Sequence, residues 1–262
     1  MKKILIVLVA LAMICASFGG CNGAKASDLE AVKDAGKLVV GVTRYKPMDY
    51  LDDETGEWIG FDAELAQMFA EELGVNCQLV IIPWSNKVAE LNGRQIDLVW
   101  NGMTASDELG EQIDFSVSYA KNAQVVIVKK GSTLTADGLK DATIAVEAGS
   151  AGETVAVETV KATKINKVTA MVDALNEVLA GTSDAAIIDL TMAQSVVGKS
   201  NYADLQMIEG VKYGEEIFAV GMRKGSDIKT KLDEFLKAKY ADGTMAKLIE
   251  KYEVVLNEDA LK

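Results

Sequence analysis

Polar residues follow short apolar runs at several points of the chain, and they are suited to holding a ligand. The run at 97–100 is followed by Asn101, Gly102 and Thr104, which offer an amide, an unshielded backbone and a hydroxyl. The run at 185–188 is followed by Asp189, whose carboxylate is a natural partner for an ammonium group. Ligands of open α/β sheets bind outside the carboxyl ends of the strands. We therefore expect these residues to share one site.

Two aromatic residues and one serine occupy similar positions. Tyr45 and Trp84 each follow a run that predicts a strand, and their polar or proline neighbours place them at loop tips, where a ring can cover a ligand. Ser150 lies in a glycine-rich turn that opens a helix, where its hydroxyl and the backbone amides can bind a carboxylate. Plainer roles compete with these. An aromatic ring can belong to the core, and a serine, threonine, asparagine or aspartate can cap local backbone groups.

Composition narrows the chemistry. The chain of 262 residues contains no histidine, which excludes Ser–His–Asp, Cys–His and HExxH catalysis. Its three cysteines form no cluster, so we expect neither a metal nor a cofactor. The net charge of −12 argues against a nucleic-acid partner, because phosphates require a basic surface. These features remove histidine-based catalysis and leave the binding of a small molecule open.

The first 21 residues are predicted to be a secretory signal outside the fold. Two lysines precede an apolar stretch at 4–16 that is too short for a comfortable membrane span. Small residues directly before Cys21 resemble a lipobox, at which bacteria attach diacylglycerol to the new N-terminus. An ordinary signal peptide with an incidental cysteine is the alternative. Two acyl chains on Cys21 would anchor the protein to the cell membrane, with residues 22–27 as a tether.

β-Branched runs alternate with helical periodicity along the rest of the chain. Strands are predicted at 37–42, 77–82, 97–100, 123–129, 143–146, 164–168, 185–188 and 217–222, with helices between them. Two amphipathic helices close the chain. Repeated strand–helix alternation predicts an α/β fold with mostly parallel sheets.

Two motifs resemble the polar-amino-acid family of bacterial solute-binding proteins, the extracellular receptors of ABC importers. The first motif consists of Trp100, Gly102, Met103, Thr104, Ser106, Glu108, Asp114, Phe115, Ser116 and Tyr119. The second motif consists of Gly60, Phe61, Asp62, Glu64, Leu65 and Ala66. The resemblance covers nearly the whole chain after the signal segment.

This resemblance implies a type II periplasmic-binding-protein-like fold, in which two lobes enclose a ligand cleft and a hinge between the lobes lets them close. The first lobe is expected to hold residues 28–121 and 217–262, and the second residues 122–216. The resemblance also implies a monomeric, extracytoplasmic receptor that is anchored to the membrane as a lipoprotein and delivers a small molecule to an ABC permease.

The resemblance assigns roles within the site. It implies that Asp189 binds the α-amine of the ligand, that the turn at Ser150 faces the carboxylate, and that Tyr45 and Trp84 stack on the ligand. Where the family usually carries an arginine that grips the α-carboxylate, this chain has Leu109.

Three arrangements are open for that carboxylate. Arg44 can reach it from the loop that carries Tyr45, the turn at 149–152 can hold it alone, or the ligand lacks an α-carboxylate. The expected ligand is a small amino acid or an amino-acid-like cation, and an amine or modified amino acid without a free carboxylate is the alternative. A dehydratase similar to cyclohexadienyl dehydratase on the same fold is a further alternative, because Glu153 offers an acid in the cleft.

Overall fold

The structure, a computed structural model, describes residues 27–262. The predicted signal segment 1–21, with Cys21, and the tether up to residue 26 lie outside the described residues. Within 27–262, no helix is long and apolar enough to cross a bilayer.

Local signals in the sequence set the helix ends. Ser27 accepts a hydrogen bond from the Glu30 N–H at 2.9 Å and caps the first helix, which ends at Gly36 in the left-handed region, at φ 65°. The α-helices are α1 Asp28–Ala35, α2 Phe61–Leu73, α3 Lys87–Asn92, α4 Asp107–Gln112, α5 Ala151–Thr154, α6 Met171–Ala180, α7 Leu190–Val196, α8 Ile228–Ala241, α9 Thr244–Tyr252 and α10 Glu258–Leu261. A π-helical turn, Val155–Thr159, continues α5, and short 3₁₀ turns form at Trp84–Asn86, Ala136–Asp141 and Ser200–Tyr202.

Two five-stranded sheets carry the helices. The first contains, in spatial order, β4 Asn76–Ile81, β1 Lys37–Val42, β5 Leu98–Val99, β12 Gly221–Arg223 and β6 Ile113–Phe115. β1 runs parallel to β4 and β5, whereas β12 runs antiparallel to β5 and β6. A separate hairpin joins β2 Tyr50–Leu51 to β3 Trp58–Ile59.

The second sheet contains, in spatial order, β11 Leu205–Phe218, β7 Ala120–Lys129, β10 Ala185–Asp189, β8 Thr143–Glu147 and β9 Lys164–Val168. β8 runs parallel to β9 and β10, whereas β7 runs antiparallel to β10 and β11. The α/β fold is therefore as predicted, but each sheet is mixed and not mostly parallel. The antiparallel pairings are those that β7 and β12 make with their neighbours.

The chain passes between the sheets at two neighbouring points. It enters the second sheet at Ala120 and leaves it at Phe218, and these two residues pair with each other in the register of β7 and β11. Phe218 also forms a bridge with Thr104. Two adjacent crossings are the connectivity of a two-lobed fold. The lobe limits at 121/122 and 216/217 stay predictions.

The strand predicted at 217–222 is in fact two strands, and most of β11 was not predicted. β11 ends at Phe218 and β12 begins at Gly221. Two glycines within β11, Gly210 and Gly214, have positive φ angles, and the pairing with β7 shifts register around them. These irregularities break the two-residue alternation by which a strand is recognised in a sequence.

An aromatic group fills the core beside β5. The Trp100 ring is fully buried, and its centroid lies 6.4 Å from that of Phe69 and 6.5 Å from that of Phe235. The Tyr119 ring centroid lies 6.5 Å from that of Trp100. These edge and tilted contacts fix the strand end that leads into the predicted site.

A buried arginine ties the last strand of the first sheet to the start of the fold. The Arg223 guanidinium donates to Asp28 Oδ2 at 3.0 Å, to Asp97 Oδ1 at 3.1 Å, and to the carbonyls of Leu91 at 3.1 Å and Ile96 at 2.6 Å. Both the planar fork and the charge of arginine are used in this arrangement.

Candidate functional site

A cavity of about 550 Å³ lies where strand ends of the two sheets face each other. Loops after β1, β4 and β5 form one wall, and the ends of β8 and β10 form the other. Volumes of this size are typical of small-ligand sites.

Seven of the eight predicted ligand-binding residues line this cavity. They are Tyr45, Trp84, Asn101, Gly102, Thr104, Ser150 and Asp189. Their roles toward a ligand stay predictions. The structure settles which local contacts each residue already makes.

Arg44 is the eighth predicted residue, and the structure does not place it at the cavity. Its side chain is exposed, and it is not among the lining residues. The reason is the conformation of the next residue: Tyr45 exchanges two backbone hydrogen bonds of 2.7 Å with Asp49, which turns the Tyr45 ring inward and its neighbour outward. The structure thus brings Arg44 to no wall of the cavity, and a role for it toward a ligand stays a prediction.

The Asn101 and Gly102 contacts hold the loop together. Asn101 Oδ1 accepts from the backbone N–H and hydroxyl of Thr43 at 2.9 and 2.7 Å, and its Nδ2 donates to Asp49 at 2.6 Å. The Gly102 N–H donates to Asp62 Oδ2 at 2.6 Å. Asp62 belongs to the second sequence motif. It supports the Gly102 loop through this hydrogen bond and is not among the residues that line the cavity.

Glycine is required at position 102 by both space and backbone. Its φ is +54°, and a Cβ there would lie 2.7 Å from Cε1 of Tyr45. The close approach of this backbone to the Tyr45 ring closes one end of the cavity.

Ser150 has the plainer of its two predicted roles. Its hydroxyl accepts a hydrogen bond from the Glu153 N–H at 3.1 Å and caps the short helix α5. Glu153 in turn accepts from the Gly149 N–H at 2.7 Å, which completes a reciprocal cap. The Ser150 side chain still borders the cavity and keeps its own O–H for another partner.

Asp189, in contrast, makes no capping hydrogen bond to α7, although it precedes that helix. Its Oδ1 accepts hydrogen bonds from Nδ2 of Asn122, at 2.9 Å, and from Nε2 of Gln124. Burial, and then the nearby charge of Glu216, raises the pKa of Asp189 to about 7. The helix-cap alternative is thus excluded, and the carboxylate is aimed at the cavity.

Glu216 forms the second half of this acidic pair. Its Oε2 accepts from the same two amides, Asn122 at 2.9 Å and Gln124 at 3.0 Å, and from the Thr104 hydroxyl at 3.0 Å. Two carboxylates therefore share one pair of amide donors. The two amides stabilise both carboxyl groups, but neither group has a cation as an ion-pair partner within residues 27–262.

Glu147 is a third carboxyl group at the cavity, at the end of β8. It is 3 % exposed, and its Oε1 has no hydrogen-bond partner among residues 27–262. Burial, followed by the charge of Asp189, raises the pKa of Glu147 to about 8. A buried acceptor without a partner is costly, so this atom is ready to accept from a ligand donor.

Lys87 is the basic residue of the cavity wall. Its side chain is 5 % exposed, and its Nζ donates to the carbonyls of Gly149 at 2.8 Å and Trp84 at 3.3 Å. Nζ also lies 4.8 Å from the centroid of the Trp84 ring. Burial lowers the pKa of Lys87 to about 8, although the charges of Glu147 and Glu153 oppose this shift.

The remaining lining residues set the shape and outer charge of the cavity. Leu109 lines the cavity with an apolar side chain at the position where the family usually has its carboxylate-binding arginine. The Tyr45 hydroxyl is buried beside the Asp189 carboxyl group, and burial, followed by the charge of Asp189, raises the pKa of Tyr45 well above its usual range. Glu108 and Glu158 are exposed and form an acidic rim.

Three buried or half-buried charged residues of the lining were missed from the sequence: Lys87, Glu147 and Glu216. Glu147 ends an apolar strand just as Asp189 does. The expectation that acidic residues at the carboxyl ends of strands face the ligand site therefore applies to Glu147 as well. Lys87 lies three residues after Trp84, one turn along, and this spacing would have placed it beside the ring. Glu216 had no comparable signal, because its strand is irregular.

Among the described residues, no three His, Cys, Asp or Glu side chains are arranged to hold a metal ion. The cavity therefore combines four buried or half-buried carboxyl groups, one ammonium and two aromatic rings.

Comparison with known proteins gives consistent matches. The family model of bacterial extracellular solute-binding proteins, family 3, matches residues 38–254. The L-cystine-binding protein TcyJ of Escherichia coli (strain K12) is 31% identical over 86% of this chain and 85% of its own length. The arginine-binding extracellular protein ArtP of Bacillus subtilis (strain 168) is 33% identical over 96% of this chain and 98% of its own length.

A solved structure has the same architecture. It is an amino acid ABC transporter substrate-binding protein from Streptococcus pneumoniae bound to L-arginine, with a TM-score of 0.79 and 30% identity. The match covers 88% of this chain and 100% of that chain.

Proposed function

Because this chain belongs to family 3 of the bacterial extracellular solute-binding proteins, we propose that it is the ligand-binding receptor subunit of an ABC importer. Its ligand is a small amino acid or an amino-acid-like cation, bound in the cavity between the two sheets. Binding shifts the two sheets toward a closed form that a permease recognises. Relatives named for arginine and cystine support an amino acid as the ligand class.

The observation that carries this proposal is the carboxyl pair of Asp189 and Glu216. Both border the cavity, they share the amides of Asn122 and Gln124, and no cation among the described residues forms an ion pair with either. A ligand ammonium or guanidinium between them would supply the missing positive charge. Burial, and then the charge of Glu216, raises the pKa of Asp189, and a ligand cation beside this group would favour its ionised form.

The aromatic side chains supply the apolar part of the site. Tyr45 and Trp84 are 2 % and 7 % exposed, and both border the cavity. A hydrocarbon chain or a guanidinium plane can lie against such rings. The site thus has a charged end and an aromatic part, which suits a small organic cation.

Calorimetric titration of the purified protein with the common amino acids and their decarboxylated amines tests the proposal. We expect at least one cationic or zwitterionic member to bind, and Asp189→Asn to weaken it by about 30-fold or more, since a buried charged hydrogen-bond partner contributes about 2 kcal/mol or more. Asp204→Asn, remote from the cavity lining, is the matched control. Unchanged affinity in Asp189→Asn would refute the assignment.

An amine without an α-carboxylate is the second candidate ligand. It is favoured by the charge of the lining residues, because six lining residues are acidic and one is a lysine. Agmatine and cadaverine, compared with arginine and lysine in the same titration, discriminate the two classes. Tighter binding of the decarboxylated compounds would select this candidate.

The dehydratase alternative receives no support from Glu153, the acid on which it depended. Glu153 forms an ion pair with Lys167 at 2.5 Å and accepts from the Gly149 N–H, and these contacts hold its pKa below the usual range despite partial burial. A general acid needs a raised pKa. We therefore propose a receptor without a catalytic step. Mass spectrometry should recover a bound ligand unchanged after prolonged incubation, and a product lighter by one water would contradict us.

The location proposed for the protein is the outer face of the cell membrane, through a lipid on Cys21. This proposal rests on the sequence of the signal segment alone. Incorporation of labelled fatty acid, and its loss in Cys21→Ser, is the expected result. Labelling that persists in the variant would place the anchor elsewhere.

A further inference from the structure

Lys87 lies on the cavity wall in an environment that is unusual for a lysine. It opens helix α3, and its ammonium crosses from the first sheet's side of the cavity to the Gly149 carbonyl on the second sheet's side. It is 5 % exposed, yet it forms no ion pair within residues 27–262. A buried ammonium without a counter-ion is costly, and proteins retain such groups where they are used.

The ammonium has hydrogen-bonding capacity to spare. An ammonium group carries three N–H donors, and the described acceptors of Lys87 are two carbonyl oxygens, those of Gly149 and Trp84. The Trp84 ring screens one side of the group. The third donor remains for a group inside the cavity.

We propose that Lys87 binds the α-carboxylate of the ligand and thereby makes the site selective for amino acids over the corresponding amines. This inference rests on the proposed function, since it takes an amino acid as the ligand. It assigns the two ends of a zwitterion to two walls: the ammonium to Asp189 and Glu216, and the carboxylate to Lys87.

Three observations favour a carboxylate as the partner of Lys87. No other lysine, and no arginine, lines the cavity among the described residues. Arg44 is exposed and is not among the lining residues, and Leu109 is apolar. The contact with Gly149 places the ammonium beside the Ser150 turn, whose hydroxyl keeps a free donor.

The acidic groups near Lys87 keep its ammonium protonated without forming an ion pair with it, so the ammonium remains available to a ligand. Glu147 and Glu153 are the nearby acids, and both favour its protonated form. Neither forms an ion pair with it: Glu153 is paired with Lys167 at 2.5 Å, and Glu147 lies deeper, at the end of β8. The ammonium is therefore kept charged near neutral pH without being neutralised by a direct protein contact.

A structural role for Lys87, in which it only joins the Trp84 turn to Gly149, is the competing explanation. The two roles differ in their dependence on the ligand. A structural lysine affects all ligands alike, whereas a carboxylate-binding lysine affects only ligands that carry a carboxylate.

The experiment is a comparison of L-amino acids with their α-amides, using L-arginine and L-argininamide, L-lysine and L-lysinamide, and L-glutamine and L-glutamine amide. Affinities are measured by calorimetry on the wild-type protein, Lys87→Met, Lys87→Arg and the control Lys239→Met. Lys239 also places its ammonium over an aromatic ring, 5.3 Å from the centroid of Phe235, but lies outside the cavity lining.

We expect the wild-type protein to prefer the amino acid to its amide by about 30-fold or more, the size of a desolvated charge contact. Lys87→Met should abolish this preference while the affinity for the amide stays within about threefold. Lys87→Arg should keep the preference, and Lys239→Met should match the wild-type protein. Thermal unfolding of each variant verifies that the fold is intact.

The contrary results separate the two proposals. Equal weakening of amino acid and amide in Lys87→Met overturns the carboxylate role and leaves a structural one. Tight wild-type binding of an amide or amine, without preference for the amino acid, overturns the role of Lys87 but leaves the receptor function intact. Absence of binding by every compound refutes the proposed function itself.

Discussion

Ligand binding should release protons near neutral pH, because Asp189 holds one in the free protein. Burial and the charge of Glu216 raise the pKa of this group to about 7, from an ordinary value of 3.8. A ligand ammonium placed beside the carboxylate favours the ionised form and lowers that pKa again. The sign follows: the affinity for a cation increases as the pH rises through about 7, and protons leave on binding.

The magnitude follows from the pKa. At pH 6, about nine-tenths of Asp189 is protonated in the free protein, so binding releases about 0.9 proton from this group and is about tenfold weaker than at the plateau, a difference of about 1.4 kcal/mol. At pH 5 the loss is about 100-fold.

Calorimetry measures this release directly. The titrations are done at pH 6 in phosphate and in a zwitterionic buffer of different ionisation enthalpy. The difference between the two apparent binding enthalpies, divided by the difference between the two ionisation enthalpies, gives the number of protons released. Arginine and lysine are suitable ligands, since their own groups do not titrate between pH 5 and 7. Asp189→Asn should bind weakly, with neither proton release nor the tenfold change per pH unit.

A different result would refute the reasoning. Equal heats in the two buffers, together with an affinity that is constant from pH 5 to 7, would mean that Asp189 does not lose a proton when the ligand binds. Proton release that persists in Asp189→Asn would assign it to another group, with Glu147→Gln as the next variant.

Two further predictions concern the walls of the cavity and the fold. Gly149→Ala should weaken ligand binding by about tenfold or more in calorimetry, because a Cβ there would lie 2.9 Å from Cα of Ser85 across the cavity. Gly131→Ala is the control, because Gly131 has a similar φ of +81° but open space around it, and this variant should bind the ligand normally. Equal behaviour of both variants would refute this account. Arg223→Met should lower the free energy of unfolding in urea by about 3 kcal/mol while ligand affinity is kept. Asp28 would keep only the exposed Arg94, 2.8 Å away, and the carbonyls of Leu91 and Ile96 would lose their buried donor; a loss below about 1 kcal/mol would contradict the importance of this cluster.

Much of the fold followed from local patterns in the sequence. The run at 37–42 coincides with β1, and the run at 164–168 coincides with β9. Helix α2 ends where Gly74 allows a left-handed cap. These segments were predictable because one short stretch of sequence contains both the hydrophobic periodicity and the glycine or polar residues that end the element.

The candidate site was predictable to the extent that it lies at regular strand ends. Asp189, Thr104 and Trp84 each follow a strand or its loop, and the edge of the sheet brings them together. Glu216 was not predictable, because β11 is irregular and Glu216 reaches the site only through its pairing with β7. Arg223 gave no sign of burial, since its partner Asp28 lies 195 residues away in the chain.

The acidic rim has a consequence for the speed of capture. Glu108 and Glu158 are exposed at the cavity, the carboxyl groups of Asp189 and Glu216 lie behind them, and the whole chain carries a net charge of −12. Such a field draws a small cation toward the opening and accelerates diffusional encounter, whereas departure depends on the short-range contacts inside. Added salt should therefore slow association in stopped-flow measurements and leave dissociation almost unchanged. A receptor built in this way would collect scarce cationic nutrients best in dilute surroundings, and its occupancy would fall in brine even if every contact in the cavity stayed the same.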